Sequence, residues 1–258
     1  MFKTISFKID KRGVGTLMLN RPEKHNALSS TMINELAEVT EIINNEKALR
    51  VVVLRGEGPS FCAGADLKWM QEQMEASADQ RGREAKKLAN MLGGLNLLLK
   101  PLIGLIHGNV FGGGVGLACV CDVVVAIDDS KFGFTETRLG LIPATIGPYV
   151  IRRMTEAKAR TVFMSSRIFG ANEAKDFNIV NRITKDETKE KSLELEVLPY
   201  LDCDSAAVEK AKELALRLSG VPSKEEIDYS VSMLVRQWES EGAKKGIKSF
   251  FEKKLRRR

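Results

Sequence analysis

Two stretches of this chain share one design, and that design restricts the fold more than any other feature. In the first, RVVVLRG (residues 50–56) leads within a few residues to the small-residue loop SFCAGAD (60–66). In the second, PLIGLIHG (101–108) leads straight into NVFGGG (109–114). An apolar, β-branched run without polar alternation is a strand buried on both faces, and such strands pair mostly in parallel. Each loop is followed by helix-forming sequence. Strands alternating with helices argue for α/β layering.

The rest of the chain is read around these units. Residues 2–9 and 14–19 (VGTLML) read as two strands flanking a turn at Asp10–Gly13. LNRPEKHNALSS is a loop, and Ser29 or Ser30 caps a helix from Thr31 to about Asn45. A charged helical stretch runs from Leu67 to about Leu99, and VGLACVCD is a helix. VVVAIDD is a strand, and KFGFTETRLGL is a loop region with a short strand. From Ile151 onward the chain reads as mostly helical. KDETKEKSLELE looks like an exposed connection, and residues 205–219 and 223–258 like two helices. No repeat of 20–50 residues recurs in register.

At 258 residues with 43% hydrophobic composition, the chain can bury a core of ordinary globular kind. No apolar run reaches membrane-span length and no signal or transit pattern opens the sequence. A cytoplasmic location is the expectation. Four cysteines (Cys62, Cys119, Cys121, Cys203) and two histidines (His25, His107) show no ligand spacing, so no metal is expected. Buried free thiols suit a reducing compartment. The net charge of +6 comes partly from the terminal KKLRRR. Nucleic acid is a weak candidate partner, because aromatics are only 6% and do not interleave with basic residues.

The two small-residue loops carry the chemistry. Both leave bare backbone N–H groups free to face a ligand, and two N–H groups converging on one point form an oxyanion hole. The helix beginning near Gly113 adds its positive end. For an isolated GGG, close packing of a helix on a sheet is the plainer reading. GGGVGLAC does not fit the dinucleotide fingerprint, and neither a P-loop nor a G-x-S-x-G elbow is present.

Four ordered segments give a further lead: LNRPEKHNALSS, VVVLRGEGPSFCAGADLKWM, KPLIGLIHGNVFGGGVGLACVCDVVVA and FGFTETRLGLIP. Together they resemble the crotonase, or enoyl-CoA hydratase/isomerase, superfamily over about residues 14–150. The resemblance implies a spiral of ββα units over residues 1–200 and a helical oligomerisation region over 201–258. It implies an acyl-CoA thioester substrate, with CoA as part of the substrate and no separate cofactor. The family's oxyanion amides fall on Ala65 and Gly113. Its CoA-binding wall falls on Asn26, Ala27, Leu28, Ala63, Ala65, Asp66, Leu67 and Lys68. The expected assembly is a homotrimer or a dimer of trimers, because segments such as MLVRQWES carry more apolar positions than a lone helical pair can bury. In that setting Lys253 and Lys254 come into question for a CoA phosphate.

Two-acid hydratases of this family carry one glutamate shortly after GGG and a second after F-G-x-x. Here Glu136 in FGFTE fills the second position and Gly116 stands in the first. Asp122 and Asp128 do not match the missing position; Asp122 is expected to close a turn. Outside the resemblance, Glu136 reads as a surface residue paired with Arg138. Within it, Glu136 is the sole acid/base, and partial burial should raise its pKa. Gly116 is expected to face Glu136 across a vacant space that enlarges the pocket beside the substrate's β carbon.

TRLGLIPATIGPYVIRRM resembles bacterial methylglutaconyl-CoA hydratases of leucine breakdown. That resemblance points to 3-methylglutaconyl-CoA, with Lys68, Arg152 or Arg153 as a cation for the distal carboxylate. A Δ3,Δ2-enoyl-CoA isomerase, a general short-chain hydratase, and a non-enzymatic RNA-binding homologue with a decayed site remain as alternatives.

Overall fold

The structure, a computed structural model, describes residues 2–255. The terminal Arg256–Arg258, to which part of the basic tail belongs, lie outside the described residues. In chain order the elements are β1 (Ile5–Ile9), β2 (Val14–Leu19), α1 (Ser30–Asn45), β3 (Val51–Gly56), α2 (Leu67–Glu75), α3 (Ala78–Asn96), β4 (Leu102–Ile106), β5 (Asn109–Phe111), α4 (Gly113–Cys119), β6 (Val123–Ile127) and β7 (Lys131–Gly133). A 3-10 turn (Glu136–Leu139) follows. Then come α5 (Gly147–Met154), α6 (Glu156–Phe163), β8 (Ile168–Gly170), α7 (Ala171–Asp176), β9 (Arg182–Thr184), α8 (Lys189–Asp202), α9 (Ser205–Ser219), α10 (Lys224–Trp238) and α11 (Glu241–Leu255).

The strands form two sheets. The larger has the order β1-β2-β3-β4-β6-β9, antiparallel only at β1/β2 and parallel throughout the rest. The smaller has the order β5-β7-β8. The chain repeatedly visits the large sheet, then the small one, then a helix: β4-β5-α4 is one such turn and β6-β7-α5 the next. This is the spiral of ββα units, with a helical C-terminal region.

The buried strands need cover on both faces, and they have it. One face of the large sheet packs against α1, α3 and α4 in a core that includes Leu17, Leu54, Ile106 and Val124. The other face presents Val51, Val53, Ile103 and Val125 to Leu193 and Val197 of α8. The KDETKEKSLELE segment is largely exposed, as expected, but it is more than a connection: from Lys189 it is part of α8, whose buried pair Leu193 and Val197 covers the second face.

Two further expectations are corrected and two are refined. The stretch from Leu67 to Leu99 is two helices, because Ser77 and Gln80 form a capping box that starts α3 afresh. The segment 223–258 divides likewise: α10 ends at Trp238, and Ser240 Oγ accepts from the Ala243 amide at the start of α11. The part beyond Ile151 also holds two strands, β8 and β9, each three residues long and too short to show a period. Ser29, rather than Ser30, caps α1, its hydroxyl accepting from the Met32 amide at 3.2 Å.

The C-terminal helices fold back over the same chain. Trp238 is buried with Leu141, Ala243 and Ile247. Val231 packs on Ala85 and Ala89 of α3. Trp238 of MLVRQWES is thus buried, and Leu234 and Val235 half-buried, against the same chain, so these positions supply no argument for assembly. Asp122 is structural: its Oδ2 accepts from the Leu102 amide (2.7 Å) and from Lys212 Nζ (2.6 Å), tying β4 to α9.

Candidate active site

The two small-residue loops run side by side. Cys62 forms a parallel bridge with Val110, its amide donating to Asn109 O and its carbonyl accepting from the Phe111 amide. Counting three residues on from each partner gives Ala65 and Gly113. The close contact explains the glycines. A β carbon on Gly114 would collide with the Cys62 carbonyl, and one on Gly64 would stand 3.1 Å from the Phe111 carbonyl.

The two amides are left over by the local geometry. Ala65 forms a parallel bridge with Leu28, in which the Leu28 amide donates to Gly64 O and the Leu28 carbonyl accepts from the Asp66 amide. That pattern uses the neighbours of Ala65 and turns its own N–H away from Leu28. Gly113 opens α4, where no carbonyl lies four residues earlier within the helix. Among the described residues neither amide donates to a backbone or side-chain acceptor. Both line one cavity of about 530 Å³.

Glu136 enters the same cavity by sheet register. Phe111 of β5 pairs with Gly133 of β7, and the Gly112 amide donates to Gly133 O at 3.0 Å. The 3-10 turn after β7 therefore lies beside FGGG. Its Oε2 is buried without a hydrogen-bond partner, although the residue as a whole is half-buried. Desolvation pushes its pKa up to about 7, partly offset by a bond from its own backbone amide. No ion pair joins it to Arg138 among the described residues, so the surface-pair reading does not hold. The turn is fixed from behind: Thr137 Oγ1 is hydrogen-bonded to Ser166 Oγ and reaches the Phe163 carbonyl at 3.3 Å.

The space opposite Gly116 is filled. A β carbon there would stand 2.7 Å from Ile146 Cγ2 and 3.5 Å from Leu92 Cδ1. The expected vacancy is thus occupied by hydrocarbon from the segment preceding α5, so Gly116 enlarges nothing.

Of the residues expected at a CoA wall, Ala27, Leu28, Ala63, Ala65 and Leu67 line the cavity. Asn26, Asp66 and Lys68 do not. The Asn26 side chain accepts from the Arg21 amide and donates to the Glu57 and Ser60 carbonyls. Asp66 caps α2 and pairs with Arg21 at 2.9 Å, which helps hold its pKa low despite burial. Lys68 is 85% exposed at its side chain, 3.9 Å from Glu72. Arg152 and Arg153 are held elsewhere, by Glu226 and by the Asn178 and Cys121 carbonyls.

Sequence reading missed much of the wall. Trp69, Met70, Ile142, Ile146 and Trp238 line it and are apolar. Its basic residues, Lys24, His25, Arg138 and Lys254, are all exposed, which sets them at the open end. Cys62 is inert as a nucleophile, since burial pushes its thiol up to about 12. Among the described residues no cluster of three metal-ligating side chains occurs, and no helix is long and apolar enough to cross a membrane.

Two loops with free amides, a carboxyl with a buried oxygen in the same cavity and a spiral of ββα units define a class of acyl-group enzyme. Comparison with known proteins makes it particular: the sequence profile described as enoyl-CoA hydratase/isomerase matches residues 10–256, and this chain belongs to that family. A relative from Thermus thermophilus, carrying a provisional enoyl-CoA hydratase name, is 31% identical over 252 residues, covering 96% of this chain and 98% of its own. A hydroxycinnamoyl-CoA hydratase-lyase from Pseudomonas fluorescens is 29% identical, with 98% and 94% covered. Among solved structures, an enoyl-CoA hydratase from Shewanella pealeana superposes with a TM-score of 0.82 at 31% identity, with 98% and 95% covered.

Proposed function

We propose that this protein adds water across the 2,3 double bond of an acyl-CoA thioester, with Glu136 as its only acid/base. One observation carries the reading: the carboxyl of Glu136, with its buried Oε2 lacking a partner, shares a cavity with the two free amides of Ala65 and Gly113. Glu136 takes a proton from water as the oxygen bonds to the β carbon. The electron pair of the double bond moves onto the thioester oxygen, which the Ala65 and Gly113 amides hold. One such donor typically contributes about 3 kcal/mol of barrier lowering. Glu136 then returns its proton to the α carbon and the thioester carbonyl reforms. CoA belongs to the substrate and no further cofactor enters these steps. Ala27, Leu28, Ala63 and Leu67 form the wall for the CoA arm, and the basic residues at the open end, Lys254 included, suit its phosphates.

Turnover of crotonyl-CoA, followed by loss of enoyl absorbance, tests this. Glu136→Gln should lose nearly all rate while acyl-CoA binding survives. Unchanged turnover would assign the chemistry to another group.

A second reading takes 3-methylglutaconyl-CoA as substrate. It keeps one structural support: Arg138 lines the cavity without an ion-pair partner among the described residues, and is available to a distal carboxylate. The isomerase reading uses the same residues, with Glu136 carrying a proton from the α to the γ carbon. Offering crotonyl-CoA, 3-methylcrotonyl-CoA, 3-methylglutaconyl-CoA and a 3-enoyl-CoA side by side separates them. The apolar wall favours the uncharged 2-enoyl compounds. The working form is a trimer or a dimer of trimers.

A further inference from the structure

We propose that Ile146 is a specificity residue of this site: seated on the bare Gly116, its side chain is the wall that limits bulk at the β carbon of an uncharged acyl group. The inference rests on the acyl-CoA reading above.

Gly112, the N-cap of α4, and Gly116 are tied together at the start of that helix. The Gly116 amide donates to Gly112 O at 3.1 Å. Four residues of helix advance about 6 Å. Glu136 Oε1 sits against Gly112, and Ile146 Cγ2 sits against Gly116. Carboxyl and isoleucine therefore both border the first turn of α4, and both line the cavity. A carbon within proton-transfer reach of Glu136 lies in the cavity that Ile146 walls.

The wall is rigid. Ile146 is the N-cap of α5, and its carbonyl accepts from the Tyr149 and Val150 amides. It is buried, and Leu92 of the core also faces Gly116. A β-branched side chain on a fixed backbone has little rotamer freedom. Its neighbours in the wall, Leu141 and Ile142, are also apolar. Pressing a carboxylate against such hydrocarbon is unfavourable, whereas a small uncharged acyl group fits it.

The chain has two tryptophans, Trp69 and Trp238, and both line this cavity. Their fluorescence reports binding directly. Wild type, Ile146→Ala and Ile146→Val are titrated with butyryl-CoA and 3-methylbutyryl-CoA, saturated compounds that cannot be hydrated. Wild type should prefer butyryl-CoA. Ile146→Ala should shift the Kd ratio about tenfold toward the branched compound, the discrimination typical of a methylene-sized change in an apolar pocket. Ile146→Val should shift it the same way by a smaller factor, which keeps the test alive if the alanine variant does not fold. An unchanged ratio in the folded variants overturns the role of Ile146 and leaves acyl-CoA binding standing. A fluorescence response to no acyl-CoA in wild type overturns the acyl-CoA reading and this inference together. A shifted ratio without turnover of any enoyl-CoA supports Ile146 and removes hydration.

Discussion

The carboxyl of Glu136 lies against Gly112 so closely that a β carbon on the glycine would stand 2.9 Å from Oε1. Gly112 also sits at φ 49° and ψ −113°, a conformation that side-chain-bearing residues rarely adopt. Gly112→Ala should therefore displace the carboxyl and strain the loop at once. Turnover should fall at least a hundredfold, and urea denaturation should show a loss of about 1–3 kcal/mol. An alanine variant with wild-type rate would mean that the carboxyl works from another position.

The raised pKa of Glu136 has two consequences with opposite signs. As a base it must be ionised, so kcat/KM should fall with unit slope below a pKa near 7. For stability, a carboxyl whose folded pKa exceeds its unfolded value of 4.5 holds its proton more tightly in the native state. Native stability should be greatest below pH 4.5 as far as this group is concerned. It should decline as pH rises to about 7 and then level off, a loss of roughly 3 kcal/mol for a shift of this size. Glu136→Gln cannot ionise. It should exceed wild type in urea resistance at pH 8, with the gap closing toward pH 5.

Much of this fold could be read from the sequence because two strongly apolar strands demanded cover on both faces. The cover itself was harder to read. In α8, the buried Leu193 and Val197 stand among six charged residues and the exposed Leu195 and Leu198, and such a helix resembles a solvated linker until the sheet beneath it is known. Strands β8 and β9 are three residues each, held by their neighbours rather than by any pattern of their own. The site shows the same division. Ala65, Gly113 and Glu136 were marked by small-residue loops and by family resemblance, and all three line the cavity. Ile146 was not. A glycine in sequence says only that a side chain is missing, and what occupies the space comes from a residue thirty positions away. Nothing local distinguishes a hole from a contact.

Assembly should proceed through α9. This helix buries none of its residues; Lys100 pairs with Glu209 and Lys212 with Asp122 to hold it on the core. Leu214 and Leu218, one turn apart on α9, are 58% and 79% exposed, and neither lines the groove that α9 forms with Leu97 and Leu99. Such a patch on a polar helix is suited to a second copy of the chain. Light scattering should give a trimer or a hexamer, and Leu218→Glu should lower the association state. A single 28.6 kDa species in the wild type would overturn this expectation.

The contact between Gly116 and Ile146 can be tested by stability alone, apart from any activity. Gly116 lies within α4 at an ordinary helical φ, so alanine there gains about 1 kcal/mol of helix propensity. Against that gain, the new β carbon would come within 2.7 Å of Ile146 Cγ2, and overpacking of a buried site commonly costs about 1–3 kcal/mol. The collision should win, and Gly116→Ala should be less stable than wild type. Ile146→Ala alone should lose stability too, by leaving a cavity. In the double variant the Cγ2 collision is gone and the remaining approach, 3.1 Å to Cβ of residue 146, needs only a small adjustment. The two losses should therefore not add: the double variant should be more stable than their sum implies by at least about 1 kcal/mol. Additive losses in urea denaturation would mean that the two residues do not touch. Gly116→Glu should follow the same rule on a larger scale, because its side chain must displace Ile146 before it can reach the cavity.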